Sequence, residues 1–308
     1  MLLLANVSTR IVTRRRLVIR SISKRSISST HIHLHLGHHT PDRSELPPRE
    51  DDGSQRGVAL IVGAGDALGS ALAHKFAKEG LVVAVVRRDA SKLDLLKMDI
   101  ESQNSDNNHL QAPLFRCETF PADARKEDQM EQVVERIENT VGPIQVAIHN
   151  IGANVRFSIL DPSMTANKYF KVWEMAALSA FVMGRAVAAK MQPRGSGSIL
   201  FTGATSSVRG SSHFCAFAGA MHAKRALAQS MARELGPQGI HVAHVLIDGG
   251  IQTEFVKRII GDDKYQKAVE IDGLLEPEAI AENYWNLHQQ PRVAWTHELD
   301  LRPWIEKW

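Results

Sequence analysis

Residues 56–89 read RGVALIVGAGDALGSALAHKFAKEGLVVAVVRRD. The pattern predicts strand, glycine turn, helix, strand. Residues 58–62 form a short apolar run rich in β-branched side chains, the mark of a buried strand. Gly63, Gly65 and Gly69 follow at once. Residues 68–79 carry Leu68, Leu72 and Phe76 at helical spacing, and Gly80 stops the helix. Residues 81–86 make a second buried strand. Glycines at the first turn of such a βαβ unit let backbone N–H groups approach a pyrophosphate, and the helix N-terminus favours its charge. The pattern therefore predicts a dinucleotide site. The second strand ends in Arg87 and Arg88. A carboxylate there would hydrogen-bond a ribose 2′-OH, whereas an arginine accommodates a 2′-phosphate. NADP is the expected cofactor.

The chain before this unit has a different character. No acidic residue precedes Asp42, and Arg10, Arg14, Arg15, Arg16, Arg20, Lys24 and Arg25 alternate with Leu, Ile, Val and Ser. An arginine-rich, serine-rich, acid-poor N-terminus has the composition of a transit peptide, so residues 1–40 predict mitochondrial targeting. This stretch is too charged for a membrane span. Its histidines, such as His31, His33 and His35, alternate without partner cysteines, and no metal site is expected. Residues 41–55 are polar with paired prolines and predict a linker, and 56–308 is expected to be a single domain. Across its 308 residues the net charge is only +3, which gives no argument for nucleic acid. Cys117 and Cys215 offer neither a disulfide framework nor metal-ligand spacing, as suits a reducing compartment.

Further strands are expected at 114–120, 144–149, 197–201, 240–247 and 294–301. Helices are expected at 128–141, 165–191, 214–235 and 277–288, and 90–108 is expected to be a polar helix followed by a loop. This alternation predicts a three-layer α/β fold, a Rossmann-type doubly wound parallel sheet of about seven strands, with the ligand beyond the carboxyl ends of the strands.

Those strand ends collect Gly63, Arg87, Asp123, Asn150, residues 202–207 and residues 248–253. With them the chain resembles the short-chain dehydrogenase/reductase family over about residues 56–253. The family's Thr-Gly-x-x-x-Gly-x-Gly turn is matched by Val62, Gly63, Ala67, Leu68 and Gly69, with Ala67 in place of the middle glycine. Asn150-Ile151-Gly152 matches its Asn-Ala-Gly turn. Asp123, followed by Ala124, matches the aspartate that touches adenine. Asp248-Gly249 stands for its Pro-Gly, and Thr253 for a residue that reaches the pyrophosphate or nicotinamide. The resemblance implies hydride transfer on a small carbonyl, alcohol or enoyl substrate. It also implies a homodimer or homotetramer paired through the two long helices.

The family's catalytic pair is absent. The run 227–236, LAQSMARELG, sets the register of the long helix and places Phe217 at the family's tyrosine and Met221 at its lysine. The asparagine position falls near Ala176. The serine position is Ala204 by spacing, or Ser207 with Ser206 by the following glycine. A positioned general acid or base contributes about 10²- to 10⁴-fold, and neither Phe217 nor Met221 is able to supply it. Lys224 lies three residues past Met221 on the same helical face. Its spacing from Phe217 resembles the wider Tyr-x6-Lys pattern of divergent enoyl reductases, which would let Lys224 hold the nicotinamide ribose. The alternative is a solvated lysine on the helix back. Ser206, Ser207, His213, His222 and Asp248 are the candidate proton donors. Two functions follow: an NADP-dependent oxidoreductase with substitute catalytic residues, or an NADP-binding sensor or subunit partner that has lost the chemistry.

Overall fold

The computed structural model describes residues 56–104 and 114–307. The stretches expected to be a transit peptide and a linker, and the histidine tract, lie outside the described residues.

The described chain runs through β1 (Val58–Val62), α1 (Leu68–Lys78), β2 (Val82–Arg87), α2 (Ala90–Ser102), β3 (Cys117–Pro121), α3 (Glu127–Thr140) and β4 (Ile144–His149). It continues through α4 (Ala166–Trp173), α5 (Ser179–Met191), β5 (Gly197–Thr202), α6 (Cys215–Leu235) and β6 (Ile240–Ile247). Two short helices, α7 (Glu254–Ile260) and α8 (Asp262–Glu270), precede α9 (Pro277–Gln289) and β7 (Glu298–Leu301). The strands form one seven-stranded sheet in the order β3-β2-β1-β4-β5-β6-β7, with every pairing parallel.

A parallel sheet must be covered on both faces, which is why its strands carry near-continuous apolar runs. Every residue of β1 and β6 is buried. One face packs against Leu72 and Phe76 of α1 and Tyr284 and Leu287 of α9. Phe76 is fully buried and meets Trp285 edge-on, ring centres 5.5 Å apart. The other face packs against Ile137 of α3, Met183 and Val187 of α5, and Ala228 of α6. The strand order reverses between β1 and β4, and the crevice at their carboxyl ends is where a doubly wound sheet binds its ligand.

Three expected elements differ, each for a local polar reason. The helix expected at 165–191 is interrupted by a π-helical turn, Glu174–Leu178, between α4 and α5. There the Ser179 hydroxyl donates to the Met175 carbonyl at 2.5 Å, and buried His149 bonds to the same hydroxyl at 2.8 Å. The strand expected from 114 begins only at Cys117, because the Asn104 amide brackets Phe115, accepting from its N–H at 2.7 Å and donating to its carbonyl at 2.9 Å. The strand expected from 294 begins at Glu298. Arg292–Ala294 form a 3-10 turn, Trp295 stacks on His241 at 4.9 Å, and the Gln290 carboxamide accepts from the Thr296 N–H at 2.7 Å. The helical run Ala166–Arg194 is long and apolar enough to cross a membrane by length and composition, with half of its apolar window buried.

Candidate functional site

The crevice starts at the glycine turn. Gly63 has φ of +95°, and a Cβ there would lie 2.7 Å from the Asn150 carbonyl oxygen. Only glycine takes this backbone at so close an approach. A Cβ on Gly69 would lie 2.7 Å from the Gly63 carbonyl oxygen, so the start of α1 rests directly on the turn. Asn150 joins the ends of β1 and β4: its backbone N–H donates to Val62 at 2.8 Å and its amide to Gly63 at 3.2 Å. Ala67 is the N-cap of α1 and supplies no side-chain acceptor, and no acidic residue lies in the first turn. The Ser70 N–H is taken by the Gly65 carbonyl at 2.9 Å, and the N–H groups of Leu68 and Gly69, with the positive end of the helix dipole, make a seat for an anion. Leu68 is buried and anchors this turn. These features fit a dinucleotide pyrophosphate. The adjoining cleft holds about 160 Å³ and is lined by Gly63, Arg87, Asp123, Ala124, Ile151 and Met175, among others.

Charges ring this cleft. Arg87, the last residue of β2, donates through Nη1 to Asp66 Oδ1 at 2.6 Å. Lys92 Nζ reaches Asp66 Oδ2 at 3.2 Å. The Arg87 bond, foremost, holds the Asp66 carboxyl below the usual carboxylate range. Arg88 is exposed. Asp123 is gripped by Arg125, whose Nε and Nη2 reach its two oxygens at 2.9 and 2.6 Å, and this pairing holds its pKa down to about 2. The Asp123 N–H donates to the Gln129 side chain at 2.8 Å. Thr253 is the N-cap of α7, its hydroxyl accepting from the Val256 N–H at 3.0 Å.

Past the cleft the surroundings turn apolar. Ala176, Phe217 and Met221 are buried in one cluster with Ala153 and Val172, and Ala204 packs against it. The positions where the resemblance calls for a tyrosine, a lysine and an asparagine thus fall in a single hydrophobic contact, with Ala204, one of the two candidates for the serine, against it. Met175 belongs both to this cluster and to the cleft lining, so cluster and cleft share a wall. Gly152 is exposed at the cluster's edge, where a Cβ would sit 3.8 Å from the Phe217 ring. Ser207 closes its own turn, its hydroxyl accepting from the Ala204 N–H at 3.1 Å, and Ser206 is buried beside it. Asp248 is buried and already engaged, with the Thr205 hydroxyl at 2.5 Å and the Arg302 guanidinium at 3.3 Å. His213 and His222 are exposed, and the His222 Nδ1–H donates to the Ala218 carbonyl at 2.8 Å.

Lys224 overturns the expectation of a solvated lysine, for it is completely buried. Two turns of α6 separate it from Phe217, so it shares the inward face. Its ammonium donates to the Ile151 carbonyl at 2.6 Å and the Thr202 carbonyl at 3.1 Å, tying the ends of β4 and β5 together. Its ammonium is bound to backbone, and Lys224 is not among the residues lining the cleft, although its acceptor Ile151 is. Loss of hydration disfavours the charged form and brings its pKa down to about 7. His149 and His244 are buried nearby, both shifted down, foremost by burial, with the Lys224 charge adding to it. His149 is held well below its usual value and His244 at about 4. Because the Ser179 hydroxyl donates to Met175, His149 Nε2–H must donate to Ser179, which leaves its buried Nδ1 unpaired.

The family model described as short chain dehydrogenase matches residues 57–264. The chain belongs to the short-chain dehydrogenase family. A crystal structure of a short-chain dehydrogenase from Rhodopseudomonas palustris is 39% identical, covering 80% of this chain and 99% of that one with a TM-score of 0.65. A dehydrogenase/reductase SDR family protein 7-like of Drosophila melanogaster is 26% identical over 212 residues, 69% of this chain and 60% of that protein. The 2,3-dihydro-2,3-dihydroxybenzoate dehydrogenase of Bacillus subtilis (strain 168) is 25% identical over 219 residues, 71% of this chain and 78% of that protein. A metagenomic short-chain oxidoreductase solved in complex with NADP shares the fold, at 19% identity, TM-score 0.66, and coverage of 81% of this chain and 98% of that one.

The structure brings Gly63, Arg87 and Arg88 together at one cleft, with Asn150 bonded to Gly63 at its edge. Asp123 and Ala124 line that cleft, while Thr253, Ser206 and Ser207 are not among its lining residues. Sequence reasoning missed Asp66, His149, Ser179 and His244. One signal was present for His149: a histidine closing an apolar strand is buried with it. None existed for Asp66, whose partners come from β2 and α2.

Proposed function

We propose that this short-chain dehydrogenase is an NADP(H)-dependent oxidoreductase acting on a small carbonyl, alcohol or enoyl substrate. The observation that carries this is the uncapped N-terminus of α1 over the Gly63 turn, with Arg87 at the adjoining strand end. Gly63, Ala67, Leu68 and Gly69 would hold the pyrophosphate, Asp123 and Ala124 the adenine, Arg87 and Arg88 a 2′-phosphate, and Asn150 and Gly152 the floor of the site. Such a cofactor supplies the hydride, and the protein supplies orientation and electrostatics. Phe217, Met221 and Ala176 exclude water along the shared wall. They carry no proton, so proton exchange falls to another group, with the Ser206 hydroxyl on the β5 turn a candidate. Titrating the full-length protein with NADPH and NADH by fluorescence, then following NADPH oxidation against ketones, quinones and enoyl thioesters, tests this reading. Turnover on any of them supports it; binding of neither dinucleotide refutes it.

One observation favours a second reading, an NADP-binding sensor or subunit partner without catalysis. The family's tyrosine, lysine and asparagine positions lie in the apolar cluster, and Lys224 is occupied by backbone carbonyls. Tight NADPH binding with no turnover across the panel supports it. We further propose mitochondrial import directed by residues 1–40, tested by the location of a reporter fused to them. Assembly as a homodimer or homotetramer is tested by light scattering. The run Ala166–Arg194 is proposed as a core helix rather than a span, since Ala180, Met183 and Val187 pack on the sheet.

A further inference from the structure

We propose that Asp66 determines cofactor specificity: its carboxylate sits between Arg87 and Lys92 in the place of an anion and competes there with a 2′-phosphate. This rests on the dinucleotide reading above and adds a residue and a sign to it. Three elements converge on the one carboxylate. Asp66 comes from the glycine turn, Arg87 from the end of β2, and Lys92 from the first turn of α2. Both oxygens are engaged, one by each cation, at 2.6 and 3.2 Å. Two cations held to one carboxylate leave an excess of positive charge. Among the described residues Arg87 uses only Nη1, which also lies 3.4 Å from the Ala64 carbonyl oxygen. The rest of its fork is open to a phosphate.

The neighbouring charges agree with this assignment. Arg88 is exposed beside the pair, and Asp89 is committed as the N-cap of α2, accepting from the Lys92 N–H and from the Ser91 hydroxyl. Asp66 is thus the anion lying directly on the two cations. Its side chain is 69% exposed and that of Lys92 44%, so a competing anion exchanges with the carboxylate without opening the core. The carboxylate also stays within reach of the same cations once a dianionic phosphate arrives, and like charges repel. Asp66 therefore holds Arg87 and Lys92 in place while the site is free, and it weakens the preference for a phosphorylated ribose.

The test is the ratio of NADPH to NADH dissociation constants for the wild-type protein, Asp66→Asn and Asp66→Glu, measured by fluorescence titration. Adenosine 2′,5′-bisphosphate and 5′-AMP serve as displacing probes. Asp66→Asn is expected to shift the ratio toward NADPH by roughly three- to tenfold, the scale of one exposed charge against a dianion. NADH binding should stay within about twofold, and the shift should shrink at high salt. Asp66→Glu keeps the charge and should keep the wild-type ratio. A ratio unmoved in Asp66→Asn, or moved toward NADH, overturns the competition while leaving the dinucleotide site intact. A wild-type protein that binds neither dinucleotide overturns the site itself. A wild-type preference for NADH overturns the assignment of Arg87 to a 2′-phosphate, and Asp66 is then still judged by the ratio.

Discussion

Replacing Lys224 by methionine should change the pH dependence of stability more than stability itself. Methionine keeps most of the volume and removes the charge. In the folded protein the Lys224 pKa is lowered from 10.5 to about 7. Between these values the unfolded chain binds a proton that the native state does not. Wild-type stability must therefore rise with pH across that window, by about 1.4 kcal/mol per unit. Summed over the window the contribution is about 5 kcal/mol, fully present above pH 10.5 and lost as the pH falls to 7. The methionine variant lacks this term. It also leaves the Ile151 and Thr202 carbonyls without their donor, a cost of about 1–3 kcal/mol for each buried acceptor. Wild type should be the more stable protein near pH 10, and the difference should close or reverse near pH 7. His149 and His244 titrate below this window, so they do not distort the comparison. Urea unfolding followed by tryptophan fluorescence, repeated from pH 6 to 10.5 on both proteins, measures it. Stability curves that run parallel across the whole range would refute the buried-amine argument.

Arg87→Ala should weaken NADPH binding roughly 10- to 100-fold, the worth of a charge-assisted hydrogen bond, while NADH binding changes little; equal losses for both would deny it a phosphate role. Gly63→Ala should destabilise by about 2 kcal/mol or more, since it adds a Cβ 2.7 Å from a carbonyl oxygen at positive φ, and dinucleotide binding should go with it. Thermal unfolding and fluorescence titration of the same sample check both parts. Met221→Lys, which restores the family's residue, should destabilise by several kcal/mol, because it buries a charge in an apolar cluster. A variant that melts with the wild type would mean that this cluster admits water.

The sequence by itself determined the order of strands and helices, the parallel doubly wound sheet and the glycine cradle. Each rests on local physics: β-branched runs that must be buried, apolar side chains at helical spacing, and a turn whose backbone only glycine adopts. It also determined that positions 217 and 221 carry no proton chemistry, because side-chain type alone settles that. Only the tertiary structure decided the state of the polar groups. Lys224 finds its first acceptor 73 residues away in Ile151, and Arg87 finds its anion 21 residues back in Asp66. The π-helical turn, likewise, is shaped by His149, which lies 30 residues before Ser179. A charge or a hydrogen bond has the environment of whatever folds against it, and local pattern carries no record of partners brought from other strands.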